Sequence, residues 1–318
     1  SFPHGGYLLA IVAKATYHAN EGRNQPDILH ISASYLRGVS IGPCEIHTRP
    51  LSEGSSFRYV EAELHQRGHV RIKCTFIFGS LGSGATANGP PDQVRSRLNI
   101  TPSSPLARHV PLSHHPSRAI SSPTMPQARF RTRVDWAIDP APLKRNKARS
   151  RTLITGSERH GLLPPEAGGG LEWAAWFDFT DEDLVLEQSL IVFFSDVFGR
   201  TPDLYSAAVG KGIGDEVYYS YTTLALHIDF ISPFPKDDPT TSKRSVGLYS
   251  VGKFMRNGLH DGCVEIWSSP GLIGAGTESD GWREKAVCLA TASQVTLAHP
   301  LGNKLKRHIE KGREEAKL

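Results

Sequence analysis

Cysteine is scarce in this 318-residue chain, and its four copies, Cys44, Cys74, Cys263 and Cys288, form no C-x-x-C spacing. A secreted protein could join them as two disulfides. Scattered through strand-like segments, they read as reduced core residues of a cytoplasmic protein. No apolar run approaches the roughly 20 residues that a membrane-spanning helix needs. The opening residues lack the basic stretch, apolar run and small-residue cleavage site of a secretory signal.

Recognisable catalytic and cofactor motifs are also lacking. There is no G-x-S-x-G elbow, no P-loop and no H-E-x-x-H. Gly210-Lys-Gly-Ile-Gly lacks the strand, spacing and acidic partner of a dinucleotide site, and His114-His115 falls in a proline-rich stretch. No metal and no cofactor are expected. The formal charge is only +4, with basic residues gathered at Lys144, Arg145, Lys147, Arg149 and Arg151 and in the tail from Lys304 to Lys317. Glu310, Glu314 and Glu315 break up the tail, which reads as a solvated helix over 299–318. No aromatics interleave with either cluster, so a nucleic-acid partner is not expected.

What is present is an ample core, 39% hydrophobic residues, in a chain long enough for two domains. Residues 80–130 divide it: a Gly/Ser-rich opening, then Pro102, Pro105, Pro111, Pro116, Pro123 and Pro126, with no apolar period. This reads as a linker or surface excursion. Shorter insertions of the same character are expected near 140–151 and 235–243. On either side the same order of elements occurs. In residues 1–79 an apolar helix around Tyr7–Tyr17 precedes strands at Ile28–Leu36, Cys44–Leu51, Ser55–Gln66 and Val70–Phe78. In residues 131–298 a strand at Leu171–Phe179 and a helix at Leu184–Phe198 precede strands at Thr222–Ile231, Val246–Met255, Cys263–Ser268 and Ala286–Leu297. The first half has no leading strand, so either the chain is truncated or that strand comes from elsewhere. A buried helix wrapped by antiparallel strands, repeated, is an α+β pattern whose copies can pair edge to edge.

Three runs of the first half, Pro3-His-Gly-Gly-Tyr-Leu-Leu-Ala-Ile-Val-Ala-Lys-Ala, Ser32–Pro43 and Glu53–Leu64, resemble the acyl-CoA thioesterase-like superfamily with a double hotdog fold. In the second half Phe194-Ser-Asp, Phe230-Ile-Ser-Pro-Phe and Ala290-Thr-Ala-Ser-Gln-Val are similar to runs of its bacterial long-chain acyl-CoA thioesterase II members. The resemblance implies two hotdogs in tandem and an acyl-thioester substrate. Hydrolytic members of the family activate water with an Asp, a Thr and a Gln. Carried over, the Gln is Gln294, while the Asp falls at Ala225 and the Thr near Phe254.

The resemblance and the strand pattern together nominate site residues. In Thr222–Ile231, Thr223, Ala225, His227 and Asp229 alternate with Leu224, Leu226, Ile228 and Phe230. His227 and Asp229 would share a face with Ala225 and could form a displaced acid–base pair. Overlaying Tyr35-Leu-Arg on Phe230-Ile-Ser places His30 at the repeat position of Ala225. The plain alternative for all three is a polar, solvated strand face. His4-Gly5-Gly6-Tyr7 begins a helix whose N–H groups could bind a substrate oxygen, or whose glycines merely allow close packing. Asp196, inside an apolar helix, either lines the cavity or anchors a loop.

The function expected is that of a thioesterase-like enzyme acting on an acyl-CoA or a polyketide- or fatty-acid-derived substrate in a hydrophobic tunnel. Loss of the Asp at Ala225 leaves room for dehydration, isomerisation or cyclisation instead of hydrolysis. The alternative is a non-catalytic double hotdog that binds an acyl ligand or serves a structural role. Exposed sheet edges are compatible with a homo-oligomer.

Overall fold

The computed structural model describes residues 3–82, 100, 104–122, 132–155, 168–210 and 219–300. In the first half α1 (Gly5–His18) precedes β1 (Asp27–Tyr35), β2 (Glu45–Glu53), β3 (Arg58–Gln66) and β4 (His69–Gly79). In the second, β5 (Val134–Ile138), α2 (Pro140–Thr155), β6 (Leu171–Phe179), α3 (Gln188–Phe194) and α4 (Thr201–Val209) come first. Then follow β7 (Tyr219–Phe230), β8 (Ser245–Gly252), β9 (Met255–Arg256), β10 (Leu259–Ser268), α5 (Trp282–Lys285) and β11 (Cys288–Pro300).

These strands form one antiparallel sheet in the order β2-β3-β4-β1-β7-β11-β10-β8-β6-β5, with the short β9 on β10. The halves meet at β1 and β7, where His30 pairs with Asp229, Ser32 with His227 and Ser34 with Ala225. That register is symmetric about the Ser32–His227 pair. It is the relation expected from overlaying Tyr35 on Phe230, so the repeat read from the sequence is a real pseudo-twofold.

Alternation decides which side of the sheet is inner. Ile31 and Ala33 of β1, Val60, Ala62 and Leu64 of β3, and Ile72, Cys74, Phe76 and Phe78 of β4 are buried with Leu8, Leu9, Val12 and Ala13 of α1. The helix is apolar on most sides because it is wrapped: α3 lies antiparallel beside it, with Lys14 reaching Glu187 at the start of α3. Gln188 ties α3 to β1 by a two-way bond to the Ile28 backbone, accepting from its N–H at 2.8 Å and donating to its carbonyl at 2.9 Å. The edge strand β2 is exposed along nearly its whole length, and no described strand covers it as β6 covers β8.

Several expectations are corrected. Residues 104–122 are not a bare linker. Val110 and Leu112 are buried with Ala174, Trp176, Trp267 and Trp282 in a second core on the outer face of the second half. Trp176 Nε1 donates to the His114 carbonyl at 2.9 Å, and Arg108 pairs with Glu265. The prolines hid this because the segment packs without regular structure. The rest of 80–130 is largely outside the described residues, as is the tail beyond Pro300.

The insertion expected at 140–151 is the helix α2. It has a readable start, Asp139 accepting from Ala141 N–H at 3.0 Å ahead of Pro140. It lacks an apolar stripe because Arg145 and Arg149 pair with Glu172, and Asn146 bonds the Glu172 backbone on both sides. Part of the basic cluster is thus neutralised by a buried carboxylate. Burial works to raise the pKa of Glu172, but Arg145, Tyr249 and Arg149 hold it below the ordinary value. The helix expected over Leu184–Phe198 covers only Gln188–Phe194, and a separate helix, α4, starts at Thr201 with Pro202 in its first turn. Cys44 is exposed and Cys263 and Cys288 half-buried, so only Cys74 is a core cysteine, and none is in a disulfide.

Removal of the indole at the centre of the second core, Trp176→Ala, is expected to cost about 3–5 kcal/mol in urea or thermal unfolding. A loss under about 1 kcal/mol would mean that residues 104–122 do not seal this face.

Candidate functional site

The sheet separates the residues nominated from sequence into two groups. His30, His227 and Asp229 stand on the outer face of the seam, opposite the helices. His30 Nδ1 lies 2.7 Å from Asp229 Oδ1, and the rings of His30 and His227 stack at 6.5 Å. The Asp229 side chain is 60% exposed, and its β11 neighbour is Thr291, while that of His227 is Ser293. Asp229 is therefore paired with His30 across the seam and not with His227, as a surface pair on an open polar face. Ala225 lies on that same face, next to a bulge, and Phe254 is 75% exposed, so neither resemblance-derived position holds a polar group at the core.

The bulge is decisive for what lies inside. Val295 pairs with Ala225 but Thr296 pairs with Thr223, so Leu224 is an extra residue in β7. Its insertion breaks the strict alternation expected of this strand and turns Thr223 to the inner face. There Thr223 Oγ1 stands 3.4 Å from Asp196 Oδ1.

Asp196 follows α3 and is buried at the start of α1. Its Oδ2 accepts the Gly6 N–H at 2.7 Å and lies 3.5 Å from His4 Nδ1. The first N–H groups of a helix have no partner within it, and the carboxylate satisfies one while facing the positive end of the dipole. Among the described residues the N–H groups of Gly5 and Tyr7 have no hydrogen-bond partner. Only glycines fit here: a Cβ on Gly6 would be 2.5 Å from the Phe193 carbonyl oxygen, and one on Gly5 would be 2.8 Å from Asp196 Oδ2. Tyr35 donates its hydroxyl to the Gly5 carbonyl at 3.0 Å. Burial first, then the charge of Asp196, raises its pKa well above the ordinary value and keeps the phenol protonated. The side chain of Tyr7, by contrast, projects into solvent.

Gln294 also faces inward. It is 3% exposed, and neither its Nε2 nor its Oε1 has a hydrogen-bond partner. Gly262 lies directly across the β10–β11 pair, and its missing Cβ lets Phe198 pack close over it, where a Cβ would be 2.8 Å from the ring. Two residues along β11, Thr296 Oγ1 is buried and unpartnered as well, and so is Nε2 of its cross-strand neighbour His260. Thr223, Tyr35, Thr296 and His260 were not singled out in the sequence. The bulge that turns Thr223 inward and the register that gathers the others leave no local motif.

Two of the four thiols are held protonated. Burial pushes Cys288 up to about 12 and raises Cys74 as well, so neither ionises near neutral pH. Among the described residues no group of three or more His, Cys, Asp or Glu could hold a metal ion, and no helix is long and apolar enough to cross a membrane. Two open grooves, one between Leu184, Thr240–Arg244 and Pro270–Leu272 and one around Arg118 and Glu278–Glu284, reach neither group of residues.

Residues 1–79 match the family of acyl-CoA thioesterase N-terminal domains, ending where β4 ends. No protein of curated function matches the chain. Solved structures similar to it include a conserved hot dog-fold protein of unknown function from Alicyclobacillus acidocaldarius, with a TM-score of 0.59, 14% identity, and coverage of 95% of this chain and 89% of that one. The acyl-CoA thioesterase II TesB2 of Mycobacterium marinum has a TM-score of 0.56 and 14% identity over 93% of this chain and 91% of that one. A tesB protein of Mycobacterium avium subspecies paratuberculosis has 0.54 and 13% over 94% and 88%. At such identities the likeness is one of fold, and it extends over nearly the whole length. The first 79 residues thus match the acyl-CoA thioesterase N-terminal domain family, and over nearly its whole length the chain has the fold of a double hotdog.

Proposed function

We propose that this protein is an enzyme acting on an acyl thioester whose carbonyl sits at the inner face of the seam, between the start of α1 and Gln294. The observation that carries this reading is the Gln294 amide, buried with both polar atoms unpartnered. An unsatisfied buried polar group costs about 1–3 kcal/mol, so two on one side chain call for a ligand or ordered water. An amide donates and accepts, and can bond both a thioester oxygen and a water beside it. The unpartnered N–H groups at the start of α1, with the helix dipole behind them, favour the oxygen as it becomes negative.

The reaction is hydrolysis, with a fatty-acid- or polyketide-derived acyl chain inserted among the apolar side chains that helix and sheet share. A second reading is favoured by Ala225 and the exposed Phe254: the same scaffold performing dehydration, isomerisation or cyclisation, which need no activated water. The four unpaired thiols support a reducing, cytoplasmic setting. Product analysis separates the readings, since hydrolysis alone releases the free carboxylic acid together with the thiol.

With a panel of acyl-CoAs, Gln294→Ala is expected to lower kcat/KM by about 100-fold, the scale of a lost oxyanion or water contact. Asp229→Ala is expected to lower it far less. The reverse order would move the site to the outer face. Tight acyl-CoA binding without turnover by the unaltered protein would favour a non-catalytic binder. For Asp196→Ala, loss of the acceptor for Gly6 N–H is expected to lower stability by about 1–3 kcal/mol in urea unfolding. An unchanged midpoint would show that the carboxylate does not hold α1.

A further inference from the structure

His260 is 2% exposed, and its Nδ1 lies 3.0 Å from the Gly258 carbonyl oxygen. A carbonyl only accepts, so Nδ1 is the donor of that bond, and Nε2 is the nitrogen that carries the lone pair in the matching neutral tautomer. That nitrogen is buried and has no hydrogen-bond partner.

The neighbours of His260 do not supply a donor. Tyr221 stands edge-on to the ring, with centroids 6.0 Å apart, and gives its hydroxyl to Asp203 Oδ1 at 2.7 Å. The Arg200 guanidinium lies 4.3 Å over the Tyr221 ring and holds it in place. Thr296, paired across the strands with His260, has its own Oγ1 unpartnered at 5% exposure. Together with Gln294, three side chains on one face of β10 and β11 leave four buried polar atoms unsatisfied. They include two acceptors, a donor and a hydroxyl, the complement of a bound water.

The row continues towards the proposed carbonyl site. Thr296 pairs with Thr223 on its other side, and Thr223 touches Asp196 at the start of α1. Two strand spacings separate His260 from Thr223, about 10 Å of sheet. A hydrogen-bonded water and a carbonyl group together have the length of that span.

We propose that His260 is the general base of the thioester reaction. This rests on the acyl-thioester reading above. Nε2 takes a proton from a water held by Thr296 Oγ1 and Gln294 Oε1. The water oxygen bonds to the carbonyl carbon while the C=O π pair moves to oxygen. As that pair returns, the C–S bond breaks, and the leaving thiolate takes the proton from the His260 imidazolium. The products are a carboxylic acid and a thiol.

The test is thiol release from acetyl-, octanoyl- and palmitoyl-CoA by the full chain, with and without added imidazole. His260→Ala is expected to lower kcat/KM by about 100- to 10,000-fold, the range for a lost general base. Imidazole should restore part of that loss, and should restore none in Gln294→Ala. Loss without rescue in a folded His260→Ala protein would assign His260 a structural role and overturn the proposal. Should His260→Ala not fold, His260→Gln keeps a donor for Gly258, and activity within threefold of the unaltered protein would overturn it. An unaltered protein that hydrolyses none of the three esters overturns the acyl-thioester reading and the base with it. Hydrolysis that survives His260→Gln removes the base alone.

Discussion

The pairing of β1 with β7 is the constraint from which the rest of the molecule follows. It joins two sheets that each wrap one helix into a single sheet, and it fixes the register symmetrically about Ser32 and His227. Once that register is set, α1 and α3 must lie side by side on the inner face. The start of α1 then meets the end of α3, which places Asp196 on the Gly6 N–H. Neither half could supply this corner by itself, because the glycines come from one repeat and the carboxylate and Thr223 from the other.

The two faces of the seam differ in what water can do for them. On the outer face His30, His227 and Asp229 remain solvated, and an exposed contact of that kind contributes little to stability. On the inner face the same kinds of atoms are cut off from water. There an unmet hydrogen bond is costly, and a residue that keeps one unmet is poised for a ligand. The single extra residue in β7, Leu224, moves Thr223 from the first environment to the second.

Much of the fold was legible because it rests on alternation. The strands of the first half and Leu171–Phe179, Thr222–Ile231 and Ala286–Leu297 lie within a few residues of the observed elements. What escaped depends on tertiary partners. The helix α2 has no apolar stripe, since its polar side chains bond to Glu172. Residues 104–122 have no period, since Val110 and Leu112 meet tryptophans on other strands. At the candidate site, Gly5, Gly6, Asp196 and Gln294 were within reach through resemblance. His260 was not: in sequence it is a histidine after an Asn-Gly turn, and only its register with Thr296 and its bond to Gly258 reveal the unused nitrogen.

A crystal structure with a non-hydrolysable thioether analogue of an acyl-CoA tests most directly whether the inner face of the seam is the site. The expected result is an acyl chain between helix and sheet, with the sulfur and the atom that replaces the carbonyl within reach of Gln294 and the start of α1. An analogue bound instead against His30 and Asp229 on the outer face, with Gln294 still unpartnered, would contradict it.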